Sequence, residues 1–259
     1  MPHSLDREYA QRAIPQYERA VEQAGGDPVR ILLNDAATEL QSLIRSCDGF
    51  LLPGSKADVD PAKFHAARSA HTAAADALRE NADEFLLQQA YNLRQPVLAI
   101  CYGLQSLNVF RGGSLIQHIP DFLPENLRTR VNHEAGKTVA IAHEVVIDND
   151  SKLAEIVKRK EREGHDLSHA ENEWKRSRAL APGGAAPTLP VNSSHHQSAD
   201  KIGDGLRISA RCPDDGIIEA LEGTDPDHFV LAVQWHPERS VDDDEISRTI
   251  FRELIEAAK

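Results

Sequence analysis

Apolar positions fall in short blocks along this chain, and the blocks alternate between helical and extended spacing. Residues 15–24 carry Tyr17, Ala20, Val21 and Ala24 on one helical face, with a proline near the start and Gly25-Gly26 past the end. That pattern predicts an amphipathic helix. Residues 29–33 read as a strand, residues 37–45 as a short helix, and residues 48–52 as a second strand running into Pro53-Gly54-Ser55. Residues 56–75 show no clear period and read as a surface loop with helical turns. Residues 76–93 form a helical pattern with Leu78, Phe85, Leu86 and Ala90 apolar. They feed Pro96-Val97-Leu98-Ala99-Ile100, an apolar run with no polar face, as in a strand buried on both sides. Leu104, Leu107 and Phe110 then stand at helical spacing, and Gly112-Gly113 end that helix. Strand alternating with helix predicts an α/β fold, a mostly parallel central sheet with helices on both faces.

The second half reads less regularly. Residues 138–142 and 144–147 look like short strands, and residues 151–157 like the start of a helix. Residues 158–178 are dense in charge, with too few apolar residues for a buried stripe. They predict a solvent-facing helix or a disordered stretch. Residues 179–190 hold three prolines and two glycines and predict an irregular connector. Residues 206–211, 217–221 and 229–234 read as strands, and residues 245–258 as a final amphipathic helix.

Length and charge narrow the class. A chain of 259 residues suits one large α/β domain or two small ones. A net charge of −12 gives no electrostatic support for a nucleic-acid or anionic-membrane partner. No apolar run approaches a membrane span, and the stretch MPHSLDREYAQRAI lacks a signal-peptide core. With three cysteines and no export signal, a disulfide framework is not expected, and a reducing cytoplasm is the expected location.

Two stretches carry candidate chemistry. Cys101 follows the apolar strand at once and opens the next helix, between small residues Ala99 and Gly103. A cysteine on a sharp strand-to-helix turn resembles the nucleophile elbow of hydrolases. The thiol is expected to stand exposed above the sheet, where backbone N–H groups and the helix dipole favour negative charge. On this stretch alone, a buried cysteine that merely ends a core strand fits as well. The second stretch is Trp235-His236-Pro237-Glu238, directly after a strand. Active sites of open α/β sheets gather at strand C-termini. A thiol nucleophile needs a base, and the base needs an acceptor that fixes its tautomer. Cys101, His236 and Glu238 can supply these three roles.

Together, PVLAICYGLQSLNVFRGGSLIQ and VQWHPE resemble the class I glutamine amidotransferases. The elbow form C-x-G-x-Q is matched by Cys101, Gly103 and Gln105, and the H-P-E form by His236, Pro237 and Glu238. Residues 20–29 (AVEQAGGDPV), 48–61 (DGFLLPGSKADVDP) and 191–200 (VNSSHHQSAD) are similar to the branch that hydrolyses γ-glutamyl bonds, the peptidase C26 type. Its best-known members are γ-glutamyl-γ-aminobutyrate hydrolases. The resemblance implies a flavodoxin-like sheet and a single domain over residues 1–259, with a charged insertion near 155–187. It implies that Cys101 forms a glutamyl thioester and that His236 returns a proton to the leaving amine. It places an oxyanion hole at the backbone N–H groups of Gly54 and Tyr102. It also places substrate contacts at Gln105, His195 and Gln197. The expected partner is a small γ-glutamyl compound. No cofactor and no metal are expected, since no cysteine or carboxylate set stands at ligand spacing beside the paired histidines. Assembly into a homo-oligomer is left open.

The chain departs from the family pattern in places. The resemblance implies an opening strand of the form I-G-I, and no apolar run stands ahead of the first helix. Loss of such a strand would expose a sheet edge. Ser55 stands where the family often has a second glycine, Ala99 replaces a glycine, and Tyr102 replaces a common arginine. Two other functions stay open beside the hydrolase: a glutaminase partner passing ammonia to a separate synthase, and an inactive binding module.

Overall fold

The computed structural model describes residues 3–4, 6–33, 37–163 and 186–259. Asp6 starts the first helix by accepting the Tyr9 N–H at 2.8 Å, so α1 spans Arg7–Gln23 and begins earlier than its apolar stripe suggests. Pro15 therefore lies inside this helix. A second helix, α2 (Ala37–Ser46), leads to β1 (Phe50–Leu52). A 3-10 turn over Pro61–Phe64 interrupts the loop that follows. The chain then forms α3 (Ala77–Leu93), β2 (Val97–Ile100) and α4 (Tyr102–Phe110). Short β3 (Leu115–Ile116) and α5 (Ile119–Phe122) precede β4 (His143–Ile147) and α6 (Lys152–Glu163). The chain ends with β5 (Thr188–Val191), β6 (Ser198–Ala199), β7 (Leu206–Arg211), β8 (Ile218–Gly223), β9 (Val230–Val233) and α7 (Glu245–Ala257).

The architecture is α/β, as expected, with a central sheet in the order β1-β2-β9-β8-β7-β4-β5. Its parallel part is β1, β2 and β9; β8, β7, β4 and β5 continue it in antiparallel pairs. Helices α1, α6 and α7 cover one face through Ala20, Ile156 and Phe251. Helices α2, α3 and α4 cover the other through Ile44, Leu87 and Leu104. All four residues of β2 are fully buried, which accounts for a run with no polar face.

Four local expectations change. Residues 29–33 form no strand. A cavity of about 500 Å³ lies between their side chains Val29, Ile31 and Leu33 and the β1 residues Phe50 and Leu51. Extended backbone counts as a strand only within a sheet ladder, and the sheet order does not include these residues. Residues 138–142 form no strand either, because Val139 and Ile141 face solvent with no core to join. Pro190 sits within β5 rather than in a connector. β5 pairs only with β4, and an edge strand tolerates a missing N–H. In α3 the buried face holds charge as well as apolar residues: Leu86 and Ala90 are inside as expected, together with Arg79 and Asp83, while Leu78 is exposed.

The charged insertion lies mostly outside the described residues. Its first turns do not. Ile156 and Val157, within the stretch expected to be inserted, are fully buried on the α6 face that packs against the sheet.

Candidate active site

The three parallel strands end side by side. Register pairs Leu52 with Ala99 and Ile100 with Val233. The loops that follow, at Gly54, Cys101 and His236, therefore meet above one edge of the sheet. This is where open α/β folds place their sites.

Cys101 turns the chain from β2 into α4 with φ 53° and ψ −105°. Positive φ in a residue with a Cβ costs about 1–3 kcal/mol and persists only where neighbours impose it. Here the Cys101 N–H donates to the Val233 carbonyl at 2.8 Å, and its carbonyl accepts the Gln105 N–H at 3.2 Å. Gly103 has a packing reason as well: a Cβ there would lie 2.3 Å from the Leu52 carbonyl oxygen. Helix α4 can approach β1 this closely only with glycine. The expected exposed thiol is instead 6 % exposed. Tyr17 of α1 packs in the same cluster.

His236 is reached through Gln234 and Trp235 beyond β9. Its backbone is clamped by Asn192: the His236 N–H donates to Oδ1 at 2.8 Å, and Nδ2 donates to the His236 carbonyl at 2.9 Å. The ring Nδ1 bonds Glu238 Oε1 at 2.7 Å. Cys101 is the other electrostatic neighbour of this ring. Both His236 and Glu238 are buried. Burial works to lower the His236 pKa, but the charges of Glu238 and Cys101 outweigh it and raise the value to about 9. For Glu238, burial works upward, and the neighbouring His236 brings the net shift below the ordinary carboxylate value. Glu238 thus stays charged and holds the imidazole in the tautomer with a proton on Nδ1.

A Cβ at Gly54 would stand 3.0 Å from His236 Cε1 and 3.5 Å from the Cys101 Cβ, so the Gly54 loop closes the site. The Gly54 N–H donates to Tyr17 Oη at 3.0 Å. Burial keeps that phenol neutral, with its pKa well above the usual range. Tyr102 is the first residue of α4, and the first helical N–H groups have no intrahelical acceptor. The structure therefore brings Cys101, His236, Glu238, Gly54 and Tyr102 together.

The remaining candidates are placed differently. Gln105 is buried, and its Nε2 donates to the Gln197 carbonyl at 3.3 Å and to Gln234 Oε1 at 3.4 Å. It spans from α4 to the loop ahead of β6. Gln197 donates to the Gln117 carbonyl at 3.1 Å, and its buried Oε1 has no hydrogen-bond partner. His195 has its ring in the interior. Its ring bonds the Gln197 carbonyl and Glu219, and its N–H donates to the His133 carbonyl. Every polar group of its ring is committed to the interior of the protein.

Sequence reasoning missed three residues that shape this site. Tyr17 read as one apolar position on a helical stripe. Asn192 lay in the VNSSHHQ stretch without a role. Arg79 is buried in α3, bonds Asp83 Oδ1 at 2.6 Å and donates to the Pro53 carbonyl at 2.6 Å, so it holds the loop carrying Gly54. A charged pair at i, i+4 on an otherwise apolar helix face was its one visible signal.

A sequence model of the peptidase C26 family matches residues 2–238, ending on Glu238. The chain belongs to the peptidase C26 family. Relatives agree. A glutamine amidotransferase-like protein of Rickettsia prowazekii is 31% identical over 94% of this chain and 88% of its own length. The γ-glutamyl-γ-aminobutyrate hydrolase PuuD of Escherichia coli K12 is 32% identical over 94% of this chain and 85% of its own length. A crystal structure of a GMP synthase-type protein from Thermoplasma acidophilum superposes with a TM-score of 0.56. It is 14% identical and covers 94% of this chain and 86% of its own, which shows the shared fold. This C26 protein is accordingly an amide hydrolase of that family's type. Among its described residues, no helix is long and apolar enough to cross a membrane.

Proposed function

We propose that this C26 protein hydrolyses γ-glutamyl amides of small amines through a thioester on Cys101. One observation carries the reading: a cysteine on a positive-φ elbow lies beside an imidazole whose Nδ1 is held by a buried glutamate. The Cys101 sulfur attacks the γ-carbonyl carbon, and the carbonyl π pair moves onto oxygen. The Tyr102 N–H meets that oxyanion. The Gly54 N–H joins it when the Tyr17 hydroxyl gives way. The intermediate collapses, the C–N bond breaks, and the proton on His236 goes to the departing amine. Water then gives a proton to His236 and attacks the thioester carbon. Collapse releases glutamate, and Cys101 regains its starting state.

The glutamyl side is supported by Gln197, whose buried Oε1 lacks a partner and suits an ammonium or amide donor. A relative 32% identical over most of both chains carries the name γ-glutamyl-γ-aminobutyrate hydrolase, which supports the same substrate class here. The test is glutamate release by the purified protein from a panel of γ-glutamyl compounds, glutamine and γ-glutamyl-γ-aminobutyrate included. The expected result is release from γ-glutamyl amides that disappears in Cys101→Ser. Absence of release from every member would remove the reading.

A further inference from the structure

A second buried cluster lies apart from the Cys101 site. Three histidines from distant parts of the chain point one ring nitrogen each at the same carboxylate oxygen. His133 Nδ1, His143 Nε2 and His195 Nε2 stand 2.9, 3.3 and 3.2 Å from Glu219 Oε1. All four ligand-type atoms lie within 4.8 Å of one another. The side chains are buried, Glu219 completely. Glu219 sits in β8, where every residue is buried. His143 opens β4, and His133 and His195 lie on loops tied by the His195 N–H to the His133 carbonyl.

The outer nitrogens decide where the protons are. His133 Nε2 faces Asp215 Oδ2 at 2.8 Å, His143 Nδ1 faces the Glu144 carbonyl at 3.0 Å, and His195 Nδ1 faces the Gln197 carbonyl at 2.8 Å. Each outer partner only accepts, so each outer nitrogen carries the ring proton. In the neutral rings the three inner nitrogens then present lone pairs to a carboxylate oxygen. The inner nitrogens of His133 and His143 have no hydrogen-bond partner. Three ring nitrogens gathered on one buried carboxylate oxygen favour a cation among them, either protons on the rings or a metal ion. Histidines whose second nitrogen is fixed by a carboxylate or carbonyl are the pattern of metal ligands. The spacing agrees too. Ligands on bonds of about 2.0–2.1 Å in a tetrahedron stand about 3.3 Å apart, close to the three distances observed.

We propose that His133, His143, His195 and Glu219 form a zinc site. With four protein ligands and no exposed position, its role is structural. Zinc there pins the loop holding Ser193, His195 and Gln197 to β4 and β8. Ser193 Oγ already donates to Glu219 Oε2 at 3.1 Å, and Asp215 orients His133. Sequence reading set metal aside because no cysteine or carboxylate set stands at ligand spacing beside the paired histidines, whereas these ligands come from four separate stretches. The proposal does not depend on the function proposed for Cys101.

The test uses the full-length protein, purified without a metal-affinity tag. Elemental analysis is expected to find about one zinc per chain. Chelator-treated protein is expected to melt at a lower temperature and to recover with zinc. Cobalt(II) added to the chelated protein is expected to give the intense visible bands of a tetrahedral ion. His143→Ala is expected to lose most of the bound metal, while Cys101→Ser keeps it. If His143→Ala does not fold, the cobalt spectrum of the unmodified chain still decides. No stoichiometric metal after growth with added zinc, together with no cobalt bands and no melting shift, would overturn the proposal. Full metal retention in folded His143→Ala would do so as well.

Discussion

At the residue scale, the site depends on which hydrogen bonds the resting protein keeps. Tyr17 Oη lies 3.0 Å from the Gly54 nitrogen, the distance at which an oxyanion would accept that N–H. In the proposed mechanism the hydroxyl competes with the transition state for one donor. Tyr17→Phe is expected to leave kcat/KM unchanged or to raise it by about severalfold, since the removed bond is worth roughly 0.5–1.5 kcal/mol. A fall of about a hundredfold or more would mean that the hydroxyl is itself a donor to the oxyanion. In the proposed mechanism His236 sets the pH behaviour. Its folded-state pKa of about 9 lies above the ordinary histidine value. The imidazolium–Glu238 pair thus contributes its full stability below about pH 6.5 and loses it as pH rises through about 9. The proton needed by the leaving amine goes over the same range. An alkaline limb in kcat/KM near pH 9 is expected, and Glu238→Gln should move that limb to lower pH. A limb that stays in place in Glu238→Gln would separate Glu238 from His236. These residues divide by legibility. Cys101, His236 and Glu238 could be found because each follows a readable strand. Tyr17 and Arg79 could not, because a side chain's role in the interior depends on how helices pack, which periodicity does not report.

At the element scale, short elements with readable ends were legible and their packing was not. β2, α4 and β9 appear where apolar runs and glycines place them. Residues 29–33 have a strand's composition yet lie outside the sheet, since membership of a sheet depends on neighbours that composition does not report. α3 reads as an amphipathic helix yet buries Arg79 and Asp83 to hold the loop before Gly54. The contact of α4 with β1 offers the clearest test. Gly103→Ala would set a methyl 2.3 Å from the Leu52 carbonyl oxygen. It is expected to cost about 1–3 kcal/mol of stability through overpacking and to lower activity by displacing Cys101. Chemical denaturation and the turnover assay measure the two effects. Unchanged stability would show that α4 can move away from β1 without loss.

At the scale of the whole molecule, the sheet is strongest in its middle and weaker at its β1 edge. β2 and β9 are paired on both sides, whereas β1 borders a cavity of about 500 Å³. Phe50 and Leu52 bond toward β2, so Leu51 between them turns its backbone groups to the cavity side. Amide hydrogen exchange is expected to be faster in β1 than in β2, with Leu51 fastest. Equal protection would mean that another segment or a second copy covers this edge. The central claim is that Cys101 carries the glutamyl group, and trapping that group tests it most directly. The protein is incubated with a γ-glutamyl electrophile, and the labelled peptide is found by mass spectrometry. The account predicts a single adduct on Cys101, abolished in Cys101→Ser and by excess γ-glutamyl substrate. An adduct on Cys47 or Cys212 that spares Cys101 in an active preparation would contradict it.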